Sequence, residues 1–276
     1  MTVVVVLAAP PRSGLVFSRL SETTPLSATA ASDLYAAALA DTLRTAEAAG
    51  GNLLVNYRDR DTLPADHHGK TEPAAAVRAV ASEALRDVTA ARFEPQVGST
   101  PAARVGNTVT HLLREEEADS VVVLRPVAPL LQRPDVDTGT MRLRSNETVL
   151  GTTTDGAVYY AGFTDPVAFE DAFQPPAVET LTERARDADH NVAFLPAQPA
   201  VDSAAGLRSF VPTLRARVHA EQAVPPETAT FVHEHGLRVR DGALVADGGP
   251  NNESDDSPSE SDDSPSESDD AHAEEA

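Results

Sequence analysis

Histidines and acids are the first places to look for chemistry. His67-His68 and His233-Glu234-His235 have the residue types of a metal site, but no third ligand falls near either pair in the chain. Their simpler reading is solvated surface histidine. Asp135-Val136-Asp137 is a D-x-D, a spacing at which two carboxylates can share a divalent cation. In a chain this acidic the pattern arises readily by chance, and Asp137-Thr138 ahead of Thr140-Met141 also reads as a helix cap. No G-x-S-x-G elbow, no phosphate-binding Walker loop and no H-E-x-x-H occurs. Asp59-Arg60-Asp61 reads as a charged loop.

The elements that must position any site alternate along the chain. Val3 to Leu7, Leu53 to Tyr57 and Ser120 to Leu124 are short apolar runs rich in β-branched residues, as expected of strands buried on both faces. Helical spacing is seen over Ala30 to Ala49, stopped by Gly50-Gly51, and over Glu72 to Asp87, Val105 to Glu117, Pro176 to Ala188, Gly206 to Glu221 and Thr228 to His235. Strand-like segments cover Thr148 to Gly151, Ala157 to Phe163 and Val192 to Leu195, and Asp241-Gly242 predicts a hairpin over Arg238 to Val245. This order predicts an α/β fold, a Rossmann-like, mixed but mostly parallel sheet with helices on both faces. In such sheets ligands bind beyond the carboxyl ends of the strands, so the loops after Leu7, Leu124 and Gly151 are the places for a site.

The charge is strongly asymmetric. The 276 residues hold 43 acids against 22 bases, a net of −21, and Lys70 is the one lysine. Eleven acids and no base fall in residues 248–276, which leaves −10 on residues 1–247. The tail repeats ESDDSPS from Glu253 and again from Glu260, with no apolar position in the period. It is expected to be a disordered acidic segment, since it has nothing to bury, and residues 1–247 are expected to form one domain. The acidic body fits either a cationic partner or solubility in concentrated salt. The scarcity of lysine and the abundance of Ala, Val, Asp and Thr favour salt. No basic stripe is present to contact nucleic acid. There is no Cys for disulfides or thiolate metal sites, and no apolar stretch reaches the ~18 residues of a spanning helix. A cytoplasmic protein without a membrane partner is expected; its oligomeric state is left open.

Three segments carry a family resemblance. Residues 3–20, VVVVLAAPPRSGLVFSRL, resemble the strand and AKxPxPGxVKTRL opening of the glycosyltransferase-A-like (nucleotide-diphospho-sugar transferase) family, whose relatives include the 2-phospho-lactate guanylyltransferases. Leu34-Tyr35 and Asp41-Thr42-Leu43 sit where that family has LY and DTL. Residues 121–131, VVVLRPVAPLL, resemble its strand followed by GSDSPDLP, and residues 149–162, VLGTTTDGAVYYAG, resemble VLGPAxDGGYYLLG. Asp202 matches an Asp of its DVDTxxDL. The chain is similar to a diverged, haloarchaeal-type member.

The resemblance implies a glycosyl- or nucleotidyltransferase-like protein that binds a nucleotide or nucleotide-sugar. It implies phosphate contacts from Pro11, Gly14, Ser18, Arg19, Arg125 and Gly156, with Asp155 near the transferred group. A glycine loop lets backbone N–H groups reach phosphates, and arginine offsets their charge. The chain departs from the pattern at the family's Lys, which is Phe17, at its Thr, which is Ser18, and at a Gly, which is Ala157. The carboxylate that would hold magnesium aligns with Val127, which cannot ligate a metal. Arg125 could bind phosphate in the metal's stead, or Asp135 and Asp137 could act as a displaced carboxylate pair. Two readings follow: a transferase with degenerate catalysis, or a non-catalytic binding or regulatory module on the same fold.

Overall fold

The structure is a computed structural model and describes residues 1–247; the acidic tail expected from residue 248 lies outside the described residues. One seven-stranded sheet organises the chain, in the order β3-β2-β1-β4-β6-β5-β7. Its strands are β1 (Thr2–Ala8), β2 (Asn52–Tyr57), β3 (Arg92–Pro95), β4 (Ser120–Leu124), β5 (Thr148–Thr153), β6 (Val158–Phe163) and β7 (Val192–Gln198). β1 pairs in parallel with both β2 and β4, and β6 runs antiparallel between β4 and β5. Parallel strands need crossovers, and the helices supply them.

The helices are α1 (Leu20–Thr23), α2 (Ala28–Ala49), α3 (Pro73–Ala84), α4 (Pro101–Arg114), α5 (Arg133–Arg142), α6 (Ala177–Asp187), α7 (Ala204–His219) and α8 (Pro226–Glu234). Alternation along β1 sends Val4 and Val6 to a core shared with α2, α3 and α5, and Val3 and Val5 to a core shared with α4 and α6. Both faces are therefore covered, as the apolar strands require. A third core joins α1, α2, α7 and α8. The predicted hairpin is present as β8 (Leu237–Arg240) and β9 (Ala243–Ala246).

Three local readings are corrected. The β3 strand escapes the sequence because Arg92-Phe93-Glu94-Pro95 is a short edge with no apolar run. The helix expected from Val105 begins a turn earlier, with the Thr100 side chain accepting from Ala103 N at 3.0 Å and Pro101 at the first helical position. Asp137 caps nothing. It lies inside α5, 3.2 Å from the Arg133 guanidinium, while Asp135 closes the capping box by accepting from Gln132 N at 2.9 Å.

A buried carboxylate ties the third core together. Asp41, in the middle of α2, accepts from Glu227 N at 3.1 Å, Thr228 N at 2.8 Å and Thr228 Oγ1 at 2.6 Å. It thus caps the first turn of α8 from another helix, satisfying amide donors that have no partner within their own helix. Burial raises its pKa above the ordinary value, and the three donors and Arg44 work the other way.

Candidate functional site

A cleft of about 890 Å³ opens across the carboxyl ends of the strands, where such a sheet is expected to bind ligand. Each wall is the continuation of a strand or the start of a helix. After β1 the chain turns through Val16, Phe17, Ser18 and Arg19. After β2 comes Arg58, fixed by its N–H to Ala8 O at 2.9 Å. After β4 comes Arg125, whose N–H reaches Tyr159 O at 2.9 Å and whose Nη1 donates to Val158 O at 3.1 Å. The β5–β6 turn brings Asp155 and Gly156, and the segment after β7 brings Asp202 and Ser203. The first turns of α4, α6 and α7 also face the space, with Arg104, Ala177 and Ala204 on its lining.

Ser18, Arg19, Arg125, Asp155 and Gly156, all expected from the sequence, thus line one cleft. Pro11 and Gly14 are not on its lining. Gly14 has φ +77°, a conformation glycine adopts without strain, and that turn points to the loop before α3: a Cβ there would lie 3.4 Å from the His67 ring. Its neighbour Arg12 donates to the carbonyls of His67, His68 and Thr71. This part of the loop spends its cation on the protein. Phe17, at the place of the family's lysine, has φ +48° and packs edge-on against Tyr35 with ring centroids 5.2 Å apart.

The carboxylates are held. Asp155 accepts from the Thr153 hydroxyl and, at 3.3 Å, from Ser203 Oγ. Asp202 lies 3.9 Å from Arg125 Nη2, and both side chains are about a quarter exposed. Burial pushes the Asp202 carboxyl above its ordinary pKa, Arg125 and Arg19 pull it down, and Asp155 pushes it up. Arg19 and Asp155 thus act on the same carboxyl. Tyr35, whose hydroxyl accepts from Ala9 N at 2.8 Å, is pushed up to about 12 by burial and stays a neutral phenol.

A dedicated magnesium site does not fit these residues. Where a metal-holding carboxylate would follow β4 stands the Arg125 guanidinium, already paired with Asp202, and Val127 is buried, with its carbonyl accepting from Val201 N at 2.8 Å. Asp135 and Asp137 are off the cleft and engaged within α5. Among the described residues no group of three or more His, Cys, Asp or Glu is placed to hold a metal ion. The two His pairs stay apart and are not simply solvated: His67 and His68 are half-buried, with His68 Nε2 3.3 Å from Leu63 O, and His235 stacks on Phe231 with ring centroids 4.0 Å apart.

The cleft lining carries four arginines, Arg19, Arg58, Arg104 and Arg125, against Asp155, Glu179 and Asp202. In a body whose net charge is −10, this is a local reversal of sign. Arg58 and Arg104 went unnoticed in the sequence. The available signal for Arg104 was its position, a cation in the first turn of a helix opened by Thr100-Pro101, where the dipole disfavours it.

The architecture is a mixed, mostly parallel α/β sheet of glycosyltransferase-A-like type with its cleft at the strand ends. Among solved structures the chain is similar to a protein of Desulfovibrio desulfuricans G20, provisionally named a nucleotide-diphospho-sugar transferase. That likeness has a TM-score of 0.65 and 19% identity, over 85% of this chain and 95% of that one. More distant are a cytidylyltransferase from Leptospira borgpetersenii serovar Hardjo-bovis, with a TM-score of 0.45 and 8% identity over 85% and 94% of the two chains, and CMP:2-keto-3-deoxy-manno-octonic acid synthetase with CTP, at 0.40 and 15% over 80% and 100%. No family model and no curated protein matches the chain. The likeness establishes the fold alone. No helix among the described residues is long and apolar enough to cross a membrane.

Proposed function

We propose that this protein binds a nucleotide or nucleotide-sugar through its phosphates, using arginine where related folds use a divalent cation. The observation that carries the reading is the placement of Arg19 and Arg125 together with Asp155 and Asp202 on one cleft. Arg19 makes no ion pair among the described residues, and Arg125 is shared between a carbonyl and a carboxylate at 3.9 Å. Both guanidiniums offer forked donors to a phosphate. The aromatic faces of Phe17 and Tyr35 give the same cleft an apolar wall. The provisional name of the Desulfovibrio neighbour, a nucleotide-diphospho-sugar transferase, agrees with this ligand class. The opening-loop resemblance makes guanosine nucleotides the first to try.

On this reading Asp155 stands beside the group to be transferred, held by Thr153 and Ser203. A second reading, a binding or regulatory module without turnover, is favoured by one observation: the Arg125–Asp202 pair occupies the place of the metal-binding carboxylate. Titration calorimetry with nucleoside diphosphates, triphosphates and nucleotide-sugars, with and without magnesium, tests the common part. Binding that survives chelation and weakens in Arg19→Ala is expected. Binding that requires magnesium, or that ignores Arg19→Ala, overturns the proposal.

A further inference from the structure

Arg58 and Arg104 form a second cationic cluster on the β2 side of the cleft. Strand order separates it from the first: β2 and β4 flank β1, so the backbones that launch Arg58 and Arg125 stand roughly 10 Å apart. Stability does not account for the pair. The Arg104 side chain accepts no compensation from the protein: the residue is 9% exposed, it lines the cleft, and among the described residues its guanidinium has no hydrogen-bond or ion-pair partner. Arg58 donates to the Thr62 carbonyl, while its Nε is buried with no partner.

Three costs coincide at Arg104. Burial disfavours the charged form, the neighbouring Arg58 repels it, and both lower its pKa in that order. In addition it projects from the first turn of the 14-residue helix α4, the end whose partial charge is already positive. Like charges set side by side without an ion-pair partner, Arg58 half-buried and Arg104 more deeply covered, are costly. An anion seated between them would offset all three terms at once, because a helix N-terminus and two guanidiniums each favour negative charge. A neutral base edge would take hydrogen bonds but leave two positive charges uncompensated.

We infer that Arg58, Arg104 and the amino end of α4 form a second anion subsite, so that the ligand carries a phosphate or carboxylate group distinct from the phosphates held by Arg19 and Arg125. This deepens the phosphate-binding reading of the cleft and rests on it. Gln96 borders the subsite and is itself committed, donating to Asn56 O at 2.8 Å and Ala8 O at 3.3 Å, which leaves recognition to the arginines.

Inorganic phosphate is the probe, followed by phosphorus NMR and thermal shift on the full chain at constant ionic strength. Two phosphates per wild-type chain are expected, with one lost in Arg104→Gln and a different one lost in Arg19→Gln. Affinity at the first of these should fall roughly tenfold or more, the scale of one charge-assisted contact. Without phosphate, Arg104→Gln should melt higher than wild type, since it removes an uncompensated charge; a lower melting temperature would make Arg104 structural and overturn the inference. Arg58→Gln supplies a second variant with the same expected phosphate loss. Acetate added as competitor separates the two sources: displacement at the Arg104-dependent site alone indicates a carboxylate, and no displacement indicates a phosphate ester. Unchanged phosphate stoichiometry in both variants, with nucleoside diphosphate still bound, would sink the second subsite and spare the proposed function. Loss of nucleoside diphosphate binding in wild type would sink the proposed function instead.

Discussion

Replacing Arg125 by alanine separates the arginine-for-metal idea from a merely structural role. Two interactions go at once. The pair with Asp202 spans 3.9 Å, which at an effective dielectric of ~20 corresponds to roughly 4 kcal/mol of attraction. Solvent reaches about a quarter of each side chain, so about 1–2 kcal/mol is a realistic share after screening. The freed Asp202 then carries a less compensated charge facing the ligand, and its pKa moves further above the ordinary value. The ligand's phosphate also loses a charge-assisted contact of ~1.5–3 kcal/mol, a roughly ten- to hundredfold weakening. Calorimetry with a nucleoside diphosphate should therefore show Arg125→Ala weakened by about that factor, without added magnesium and without rescue by it. Asp202→Asn in the same background should restore part of the affinity, because the repelling carboxylate is gone; the double-mutant cycle measures that coupling. Wild-type affinity in Arg125→Ala, or full rescue by magnesium, would refute the reasoning.

Four further outcomes are expected. Asp41→Asn leaves one oxygen where two now serve three donors, so about 1–3 kcal/mol of stability should be lost, read by urea denaturation. Gly139→Ala would drive a methyl into the Tyr160 ring, 2.9 Å from its Cε2, and should destabilise by about 1–3 kcal/mol in the same assay. The raised Asp202 pKa keeps a proton on the folded protein that the unfolded chain has released, so its contribution lowers stability as pH rises from the ordinary 3.8 through the raised value; melting curves against pH should show that decline flattened in Asp202→Asn, with the gain at neutral pH and none below the ordinary value. With −10 on residues 1–247, the melting temperature should climb between dilute buffer and molar KCl, and a flat profile would remove the salt-adaptation reading.

The legible parts of the molecule were those with an unbroken apolar run or a helical period. The valine runs of β1 and β4 announce strands covered on both faces, and the loops after Leu7, Leu124 and Gly151 do border the cleft. Arg19, Arg125 and Asp155 were found because motifs mark loops at strand ends. What stayed hidden depended on packing between distant segments. Nothing local distinguishes Arg12, which serves backbone carbonyls, from Arg19, which lines the cleft. Arg58 sits beside the charged stretch Asp59-Arg60-Asp61 and reads as one more solvated residue until β2 is seen next to β1. Asp137 looked like a cap because a lone Asp-Thr pair satisfies the local rule equally well one turn inside a helix.

The reversal of sign between cleft and surface has a kinetic consequence. An anionic ligand diffusing toward this protein first meets a repelling field and feels the arginines only at short range. Added salt shortens the long-range repulsion to a few ångströms while leaving contacts inside the cleft less affected. Encounter should therefore quicken with ionic strength, the opposite of ordinary electrostatic steering, and the cleft would load faster in molar salt than in dilute buffer.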